Sequence, residues 1–304
     1  MHILMTGGTG LIGQALTSLL LEAGHRVTLL TRRPEAARAP AGARLAAWDG
    51  RSANGWAHLL GEGDAVINLA GQSIAASRWT PAQKQLILQS RLDAGRAVMD
   101  ALKQAPGRPA VLLQASAVGY YGPCGDEELD ENAPAGSDFL AEVCRQWEES
   151  TFEAEELGLR RVVLRTGVVL AAQGGALERL AMPFRLFGGG PVGSGRQWLP
   201  WIHLRDQANA MRFLLENPAA AGVFNLAAPQ LQRNAEFGKT LARVLQRPYW
   251  LPAPAFALRL ALGELSTIAL DGQRAVPHRL LQMGYRFDFP ELQPALENLF
   301  KKGA

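Results

Sequence analysis

The stretch Thr6-Gly7-Gly8-Thr9-Gly10-Leu11-Ile12-Gly13 decides how the chain folds. It follows a short apolar segment, residues 2–6, and opens residues 11–23, in which apolar side chains recur at helical spacing. A second apolar segment, Arg26–Thr31, completes a strand–helix–strand unit of about thirty residues, the size of a parallel βαβ unit. The order of these segments predicts a glycine-rich turn between the first strand and the first helix of a parallel sheet.

The glycines of this turn have the spacing of a dinucleotide-binding motif. G-x-G-x-x-G is satisfied through Gly8, Gly10 and Gly13, and G-x-x-G-x-x-G through Gly7, Gly10 and Gly13. Glycine permits the tight turn and lets backbone amides approach a pyrophosphate, whose charge is favoured at the amino end of a helix. We expect these residues to bind the dinucleotide: Gly7, Thr9, Gly10, Leu11, Ile12 and Gly13. A turn that binds nothing is disfavoured, because the motif lies between a strand and a helix.

The end of the second strand indicates which dinucleotide is bound. An acid that bonds the ribose 2′-hydroxyl of NAD is expected about twenty residues past the glycines, but Thr31-Arg32-Arg33 stands there. Two guanidinium groups attract a 2′-phosphate, because they offer it charge-assisted and bidentate hydrogen bonds. We therefore expect Thr31, Arg32 and Arg33 to bind NADP (NADPH) rather than NAD. Solvated arginines at a strand end are the alternative interpretation.

The rest of the chain continues the alternation of strands and helices. Strands are predicted at 65–69, 110–115, 161–170 and 223–227, and helices at 80–104, 138–157, 205–216 and 234–245. This alternation predicts an α/β fold: a Rossmann-type doubly wound parallel sheet with a smaller C-terminal α/β lobe. We place the NADP-binding domain at 1–245, with 170–235 partly contributing to a substrate lobe, and a small C-terminal domain at 246–304. The glycine- and proline-rich stretch after Leu170 is expected to be rich in loops.

Composition excludes several classes of protein. The chain has 304 residues, 48% of them hydrophobic, and its 31 basic and 28 acidic side chains leave a formal charge of +3. The charges are dispersed, so we expect neither nucleic acid nor a membrane as partner. Two cysteines and five scattered histidines predict no metal site. No signal peptide is recognised before the first strand, and we expect a cytoplasmic protein that acts on a small molecule.

Several further segments resemble the extended short-chain dehydrogenase/reductases. Asn68-Leu69-Ala70-Gly71 follows a strand, and Ser116 precedes Tyr120-Tyr121-Gly122. One atypical branch, the "epimerase family" proteins with a C-terminal domain of unknown function, is resembled more closely. The segments that carry this closer resemblance are Asp138–Ala141, Trp147-Glu148, Gly193–Gly195 and Pro200–His203, with Leu270–Arg274 and Pro277–Gly284 resembling the terminal domain. The resemblance runs over essentially the whole chain.

The resemblance implies further contacts with the cofactor. It implies that Asn68, Leu69, Ala70 and Gly71 lie against the cofactor, and that the segment ending at Val169 meets the nicotinamide amide through its backbone. Arg91 occupies a family position that reaches the cofactor, although its spacing alone predicts a residue on the surface of a helix.

The residues that most members of the superfamily use for proton transfer are incomplete. Those enzymes use a serine, a tyrosine and a lysine four residues after the tyrosine, and the lysine lowers the pKa of the phenol. Here the residues four positions after the tyrosines are Cys124, Gly125, Ala253 and Phe289. The tyrosine of the extended enzymes, about two dozen residues past the serine, falls on Phe139–Leu140. The Tyr-x-x-x-Lys dyad is therefore absent from this sequence.

Three side chains are candidates for the proton transfer: Ser116, Tyr120 and Tyr121. Ser116 ends the strand that delivers the usual serine, and the tyrosines follow in the same loop. For each, a structural role is the alternative, since the hydroxyl can satisfy backbone groups and the rings can pack under the second lobe. Arg145 keeps a positive charge near the missing lysine. His203 is either an acid/base or, more often for such a residue, a structural histidine.

Two functions of different classes stay open. The first is an NADP-dependent oxidoreductase or epimerase-like enzyme with an unusual proton donor, in which the cofactor supplies the hydride chemistry. The second is a non-catalytic NADP(H)-binding sensor or regulatory protein, for which the missing lysine is no loss. A conventional nucleotide-sugar epimerase is disfavoured because the Tyr-x-x-x-Lys dyad is absent.

Overall fold

A parallel sheet of seven strands forms the centre of the molecule. The computed structural model describes residues 1–61 and 63–301. The strands of the described chain are β1 (His2–Thr6), β2 (Arg26–Thr31), β3 (Arg44–Ala47), β4 (Ala65–Asn68), β5 (Val111–Ala117), β6 (Glu128–Leu129), β7 (Arg160–Thr166), β8 (Val168–Leu170), β9 (Trp198–Leu199), β10 (Trp201–His203), β11 (Gly222–Leu226), β12 (Gln232–Arg233) and β13 (Arg274–Ala275). The main sheet has the order β11-β7-β5-β4-β1-β2-β3, so β1 and β4 flank the point where the strand order reverses.

Helices connect most of these strands. Those of the described chain are α1 (Leu11–Glu22), α2 (Pro81–Gln104), α3 (Phe139–Glu149), α4 (Glu153–Glu156), α5 (Gly175–Arg185), α6 (Leu204–Glu216), α7 (Asn234–Leu245), α8 (Ala255–Leu262), α9 (Thr267–Leu270), α10 (His278–Gln282) and α11 (Leu292–Lys301). None of the helices in the described ranges is both long and apolar enough to span a bilayer.

Both faces of the main sheet are covered. On one face, Leu16 and Leu20 of α1 and Met211 and Leu214 of α6 form a buried cluster with the strands. On the other face, the buried side of α2 and the short turn Ala57–Leu59 form a second cluster. Burial on both faces explains why the central strands have apolar runs rather than alternating patterns.

The C-terminal part is packed onto this body. β13 pairs with β6, and α11 packs against α7 in a third cluster that includes Phe237 and Leu296. The carboxylate of Asp206, on α6, accepts hydrogen bonds from the amides of Asp288 (2.7 Å) and Phe289 (2.9 Å). Leu280 belongs to the same cluster as the strands of the main sheet, so the C-terminal part shares its core with the body.

The predicted elements are found close to their expected bounds, with four main differences. The strand expected at 161–170 is two strands, because the chain turns at Gly167, where a side chain would meet the carbonyl oxygen of Pro200 at 2.3 Å. The helix expected at 138–157 ends at Glu149 and is followed by the separate α4. The stretch expected to be rich in loops contains the helix α5, and the strand β3 was not predicted.

Candidate functional site

The glycine-rich turn lies at the carboxyl end of β1, beside the reversal of strand order. Gly7 has φ +66°, and a Cβ there would meet the carbonyl oxygen of Leu69 at 2.6 Å. A Cβ at Gly13 would meet the Cα of Gly8 at 2.5 Å. Both positions therefore require glycine: the first for backbone conformation and close approach, the second for close packing of helix on turn.

The amino end of α1 is open to a ligand. Gly10 is the N-cap of α1 and offers no side-chain oxygen to the first amides of the helix, which are those of Leu11 and Ile12. The side chain of Gln14 folds back and donates to the carbonyl oxygen of Thr9 at 2.7 Å. Unpaired amides at a helix start bind an anion readily, because the helix dipole adds to the hydrogen bonds. This geometry fits the pyrophosphate of a dinucleotide.

A buried chain of hydrogen-bonded polar side chains fixes the segment after β4 against the end of β1. The Thr6 hydroxyl donates to Asn68 Oδ1 at 2.6 Å, and Asn68 Nδ2 donates to Gln114 Oε1 at 2.9 Å. The amide of Ala70 donates to Thr6 Oγ1 at 3.3 Å. The carboxyl ends of β1 and β4 are thus tied to each other and to the middle of β5, and the segment Asn68–Gly71 lies directly against the glycine turn.

Spacing alone predicted that Arg91 lies on the surface of a helix, but the structure shows that Arg91 is buried. Its side chain is 8% exposed, its Nη1 donates to the carbonyl oxygens of Gln72 (3.0 Å) and Ile87 (2.8 Å), and it lies over the Trp147 ring. Its Cζ is 3.1 Å from the position of a Cβ on Gly71. Burial lowers the pKa of Arg91. The described ion pairs give it no carboxylate partner, so its positive charge, bonded to carbonyl oxygens, lies beside Gly71.

Val169 reaches the same region from β8. Val169 and Leu11 both lie close to Gly175 at the start of α5. A Cβ on Gly175 would be 3.8 Å from the carbonyl oxygen of Val169 and 2.9 Å from Leu11 Cδ2. The end of β8 therefore lies beside the start of α1, where the resemblance implies a cofactor contact.

Three arginines surround two small cavities next to the glycine turn. One cavity, of about 310 Å³, is lined by Thr9, Gln14, Thr31, Arg33 and Arg38, with Ala36 and Ala37. The second, of about 360 Å³, is lined by Thr31, Arg32 and Arg33. In the described chain no carboxylate is within ion-pair distance of these three arginines. The sequence analysis did not predict Arg38, because the motif places the residue that binds the ribose at the end of β2, and Arg38 lies seven residues further on.

Ser116 is bound to a buried ion pair. Its hydroxyl donates to Glu148 Oε1 at 2.6 Å, and Arg165 holds both oxygens of the same carboxylate at 2.8 and 2.9 Å. All three residues are at most 8% exposed. Although burial opposes it, the bonds and charge of Glu148 raise the pKa of Arg165. Glu148 was not predicted as a site residue, since 32 positions separate it from the serine.

The two tyrosines differ in their surroundings. Tyr121 is buried, donates to Asn225 Oδ1 at 2.7 Å and accepts from Arg165 Nη1 at 3.2 Å; burial raises its pKa to about 12. Tyr120 is partly exposed, and the Arg165 guanidinium lies 3.3 Å from its ring centre. Among the described residues no hydrogen bond involves the Tyr120 hydroxyl. Tyr120 is thus the candidate whose hydroxyl remains open to a ligand.

No lysine replaces the missing member of the usual dyad. Cys144, one of the two positions that spacing assigns to it, is buried, and desolvation together with the charge of Glu148 raises its pKa to about 12. Arg145 points away and pairs with Glu142 and Glu149 on the exposed side of α3. The positive charge nearest to the tyrosines is therefore that of Arg165, which comes from the neighbouring strand β7.

His203 has a structural environment. Its Nδ1 accepts a hydrogen bond from the amide of Arg205 at 3.0 Å, which caps α6, and its ring stacks on Phe289 at 4.0 Å. These contacts agree with the structural interpretation of this histidine.

The strand order, the glycine turn and the tied strand ends are those of the short-chain dehydrogenase/reductase and epimerase fold. The sequence profile of the NAD dependent epimerase/dehydratase family matches residues 3–227, and that of a domain of unknown function, DUF1731, matches residues 253–299. The chain belongs to the NAD dependent epimerase/dehydratase family.

Individual relatives cover the whole chain. Epimerase family protein YfhF of Bacillus subtilis is 41% identical over 310 residues, covering 98% of each chain. The crystal structure of human epimerase family protein SDR39U1 with NADPH is 37% identical, covers 99% of each chain and has a TM-score of 0.88. A Thermus thermophilus UDP-glucose 4-epimerase in complex with NAD, 20% identical with a TM-score of 0.78 over the full length of both chains, shares the fold.

Proposed function

We propose that this protein binds NADP(H) and acts as an oxidoreductase or epimerase-like enzyme with a non-standard proton donor. The observation that carries the proposal is the set of unpaired arginines beside the glycine turn, since two of them follow β2 where an acid would select NAD. The crystallised human relative with NADPH supports the same choice of cofactor.

The residues of the chain fit the cofactor in three places. The glycine turn and the open amides of α1 would hold the pyrophosphate, and Arg32 and Arg33 would lie on the ribose side. Asn68–Gly71, with Arg91 beside Gly71, would line the cofactor site next to the glycine turn. The cofactor supplies hydride transfer when it is bound. The protein would bind and orient the cofactor and exclude water from it.

Tyr120 is our proposed proton donor. It is the candidate hydroxyl without a described protein partner, and the cation of Arg165 lies over its ring. Ser116 donates its own proton to Glu148, so toward a substrate it presents lone pairs rather than a hydrogen. A substrate group beside Ser116 would therefore be a hydrogen-bond donor, such as a hydroxyl.

A non-catalytic NADP(H) sensor is the second candidate function. The observation that favours it is the network of Ser116, Glu148, Arg165, Tyr121 and Asn225, in which each polar group is already paired inside the protein. A network that is fully satisfied without substrate is typical of a structural element.

Titration with NADPH and NADH, followed by energy transfer from tryptophan to the nicotinamide, tests the cofactor. We expect tight binding of NADPH and weaker binding of NADH; equal affinities would contradict the choice of NADP. A panel of carbonyl compounds with NADPH then tests turnover. Tyr120→Phe should lower any turnover at least about 100-fold at unchanged NADPH affinity, as loss of a general acid does, whereas Tyr249→Phe, outside the site, should have no effect. NADPH binding without turnover would favour the sensor.

A further inference from the structure

The cavity between the glycine turn and the chain after β2 has cationic side chains on two sides. After β2 the chain makes a short 3-10 turn, Pro34–Ala36, and returns, so that Arg38 lines the same cavity as Arg33. Thr9 and Gln14 from the glycine turn and the start of α1 line it as well. Two guanidinium groups and two neutral polar side chains thus surround one space of about 310 Å³.

Arg32 belongs to the neighbouring cavity instead. It lines that cavity with Thr31 and Arg33, and its Cδ lies 3.7 Å from the position that a Cβ on Gly50 would take. The side chain therefore leans toward the turn at Gly50, away from Thr9 and Gln14. Arg33 lines both cavities and lies between them.

The charges in the first cavity favour the binding of an anion. In the described chain neither Arg33 nor Arg38 has a carboxylate within ion-pair distance, and both side chains are exposed and held by no side-chain hydrogen bond that the structure records. A phosphate accepts several charge-assisted hydrogen bonds at once, and guanidinium groups suit it better than ammonium groups. A 2′-phosphate on the ribose is the group of NADPH that NADH lacks.

We propose that Arg33 and Arg38 bind the 2′-phosphate from two sides of this cavity, and that Arg38 is a specificity-determining residue in addition to the two arginines that directly follow β2. The inference rests on the proposed function and refines it, since it divides between three arginines a selectivity that the sequence motif assigns to two. Replacing Arg38 or Arg33 should thus affect only ligands that carry the 2′-phosphate.

The test measures the affinities of NADPH, NADH and adenosine 2′,5′-bisphosphate for the full chain and its variants. Arg38→Ala and Arg33→Ala should each weaken NADPH and the bisphosphate about tenfold, the loss of one charge-assisted hydrogen bond, and leave NADH within about twofold. Arg44→Ala, an exposed arginine at the opposite end of the neighbouring strand β3, is the matched control and should change none of the affinities.

The outcomes separate this inference from the proposed function. If wild-type protein prefers NADPH but Arg38→Ala binds it unchanged, the role of Arg38 is overturned and the cofactor assignment stands. If Arg38→Ala weakens NADPH and NADH equally, Arg38 does not read the 2′-phosphate. If wild-type protein does not prefer NADPH, the cofactor assignment and this inference both fail. Higher salt should weaken bisphosphate binding to wild type more than to the Arg33→Ala/Arg38→Ala double variant, since exposed charges are screened.

Discussion

Two glycines with positive φ, one in the glycine turn and one just after α1, differ in how closely other atoms approach them. Gly7 and Gly24 both have positive φ, +66° and +80°. A Cβ at Gly7 would meet Leu69 O at 2.6 Å, whereas one at Gly24 has no atom within 4 Å. The two positions therefore share the conformational strain of a substitution and differ in what the new methyl group touches.

Gly7→Ala should lose dinucleotide binding, and Gly24→Ala should not. Both variants should lose about 1–2 kcal/mol of stability from the left-handed backbone alone, and Gly7→Ala more, because the methyl group pushes apart the turn and the segment Asn68–Gly71. Chemical denaturation and NADPH titration measure the two effects. Equal NADPH affinity of the two variants would show that the close approach at Gly7 is not needed for the site.

At the scale of elements, α3 is tied to β5 and β7 by one buried carboxylate. Glu148 accepts bonds from Ser116 and Arg165, which belong to these two strands. On the opposite side of the same helix, Glu142 pairs with Arg145 at the surface. A buried charge that loses its partner is far more costly than an exposed one.

Glu148→Ala should therefore destabilise the protein by about 3–5 kcal/mol, because it leaves the Arg165 cation buried without a partner. Glu142→Ala on the same helix should change the stability by at most about 1 kcal/mol. Urea denaturation of both variants checks the comparison. Similar losses for the two would mean that Glu148 contributes no more than a surface pair.

The sequence allowed the elements to be predicted better than their junctions. β1, α1 and β2 have strong local patterns, and they are found at their predicted positions. Two of the four residues of β3 are partly buried and the other two are exposed. Their sequence therefore has neither an apolar run nor an alternating pattern that would predict a strand. The break at Gly167 depends on Pro200, which is distant along the chain.

The same distinction holds in the candidate site. The glycine turn and the arginines after β2 are local motifs, and Thr9 and Arg33 from these two motifs line the same cavity. The burial of Arg91 and the bond between Ser116 and Glu148 result from the packing of α2 and α3, so residue spacing does not reveal them. Whether Ser116, Tyr120 or Tyr121 is catalytic stays a prediction, which the Tyr120→Phe experiment addresses.

At the scale of the whole molecule, the two regions matched by family profiles share one core. Residues 253–299 contribute Leu280 and Tyr285 to the cluster beneath the main sheet. The carboxylate of Asp206 accepts hydrogen bonds from the amides of Asp288 and Phe289. Burial raises the pKa of Asp206, and these two hydrogen bonds act in the opposite direction. The division at residue 245 that the sequence predicts therefore separates segments that are packed together.

The chain should unfold in a single calorimetric transition, because among the described residues the C-terminal region contributes only to clusters that it shares with the rest of the chain. Asp206→Ala should lower the melting temperature of that transition without splitting it, since two hydrogen bonds to a carboxylate contribute about 1.5–3 kcal/mol each. Asp288→Ala, which removes an exposed carboxylate and keeps the amide donor, should have a much smaller effect. Two resolved transitions in the wild-type protein would contradict the shared core.

The unequal burial of the two cysteines has a practical consequence. Cys144 is buried, whereas Cys124 is partly exposed and its amide donates to the carbonyl oxygen of Gly272, across the junction with the C-terminal region. A maleimide dye should therefore attach at a single position without any engineered substitution. Its fluorescence would report on that junction while cofactors or candidate substrates are added to the otherwise unmodified protein.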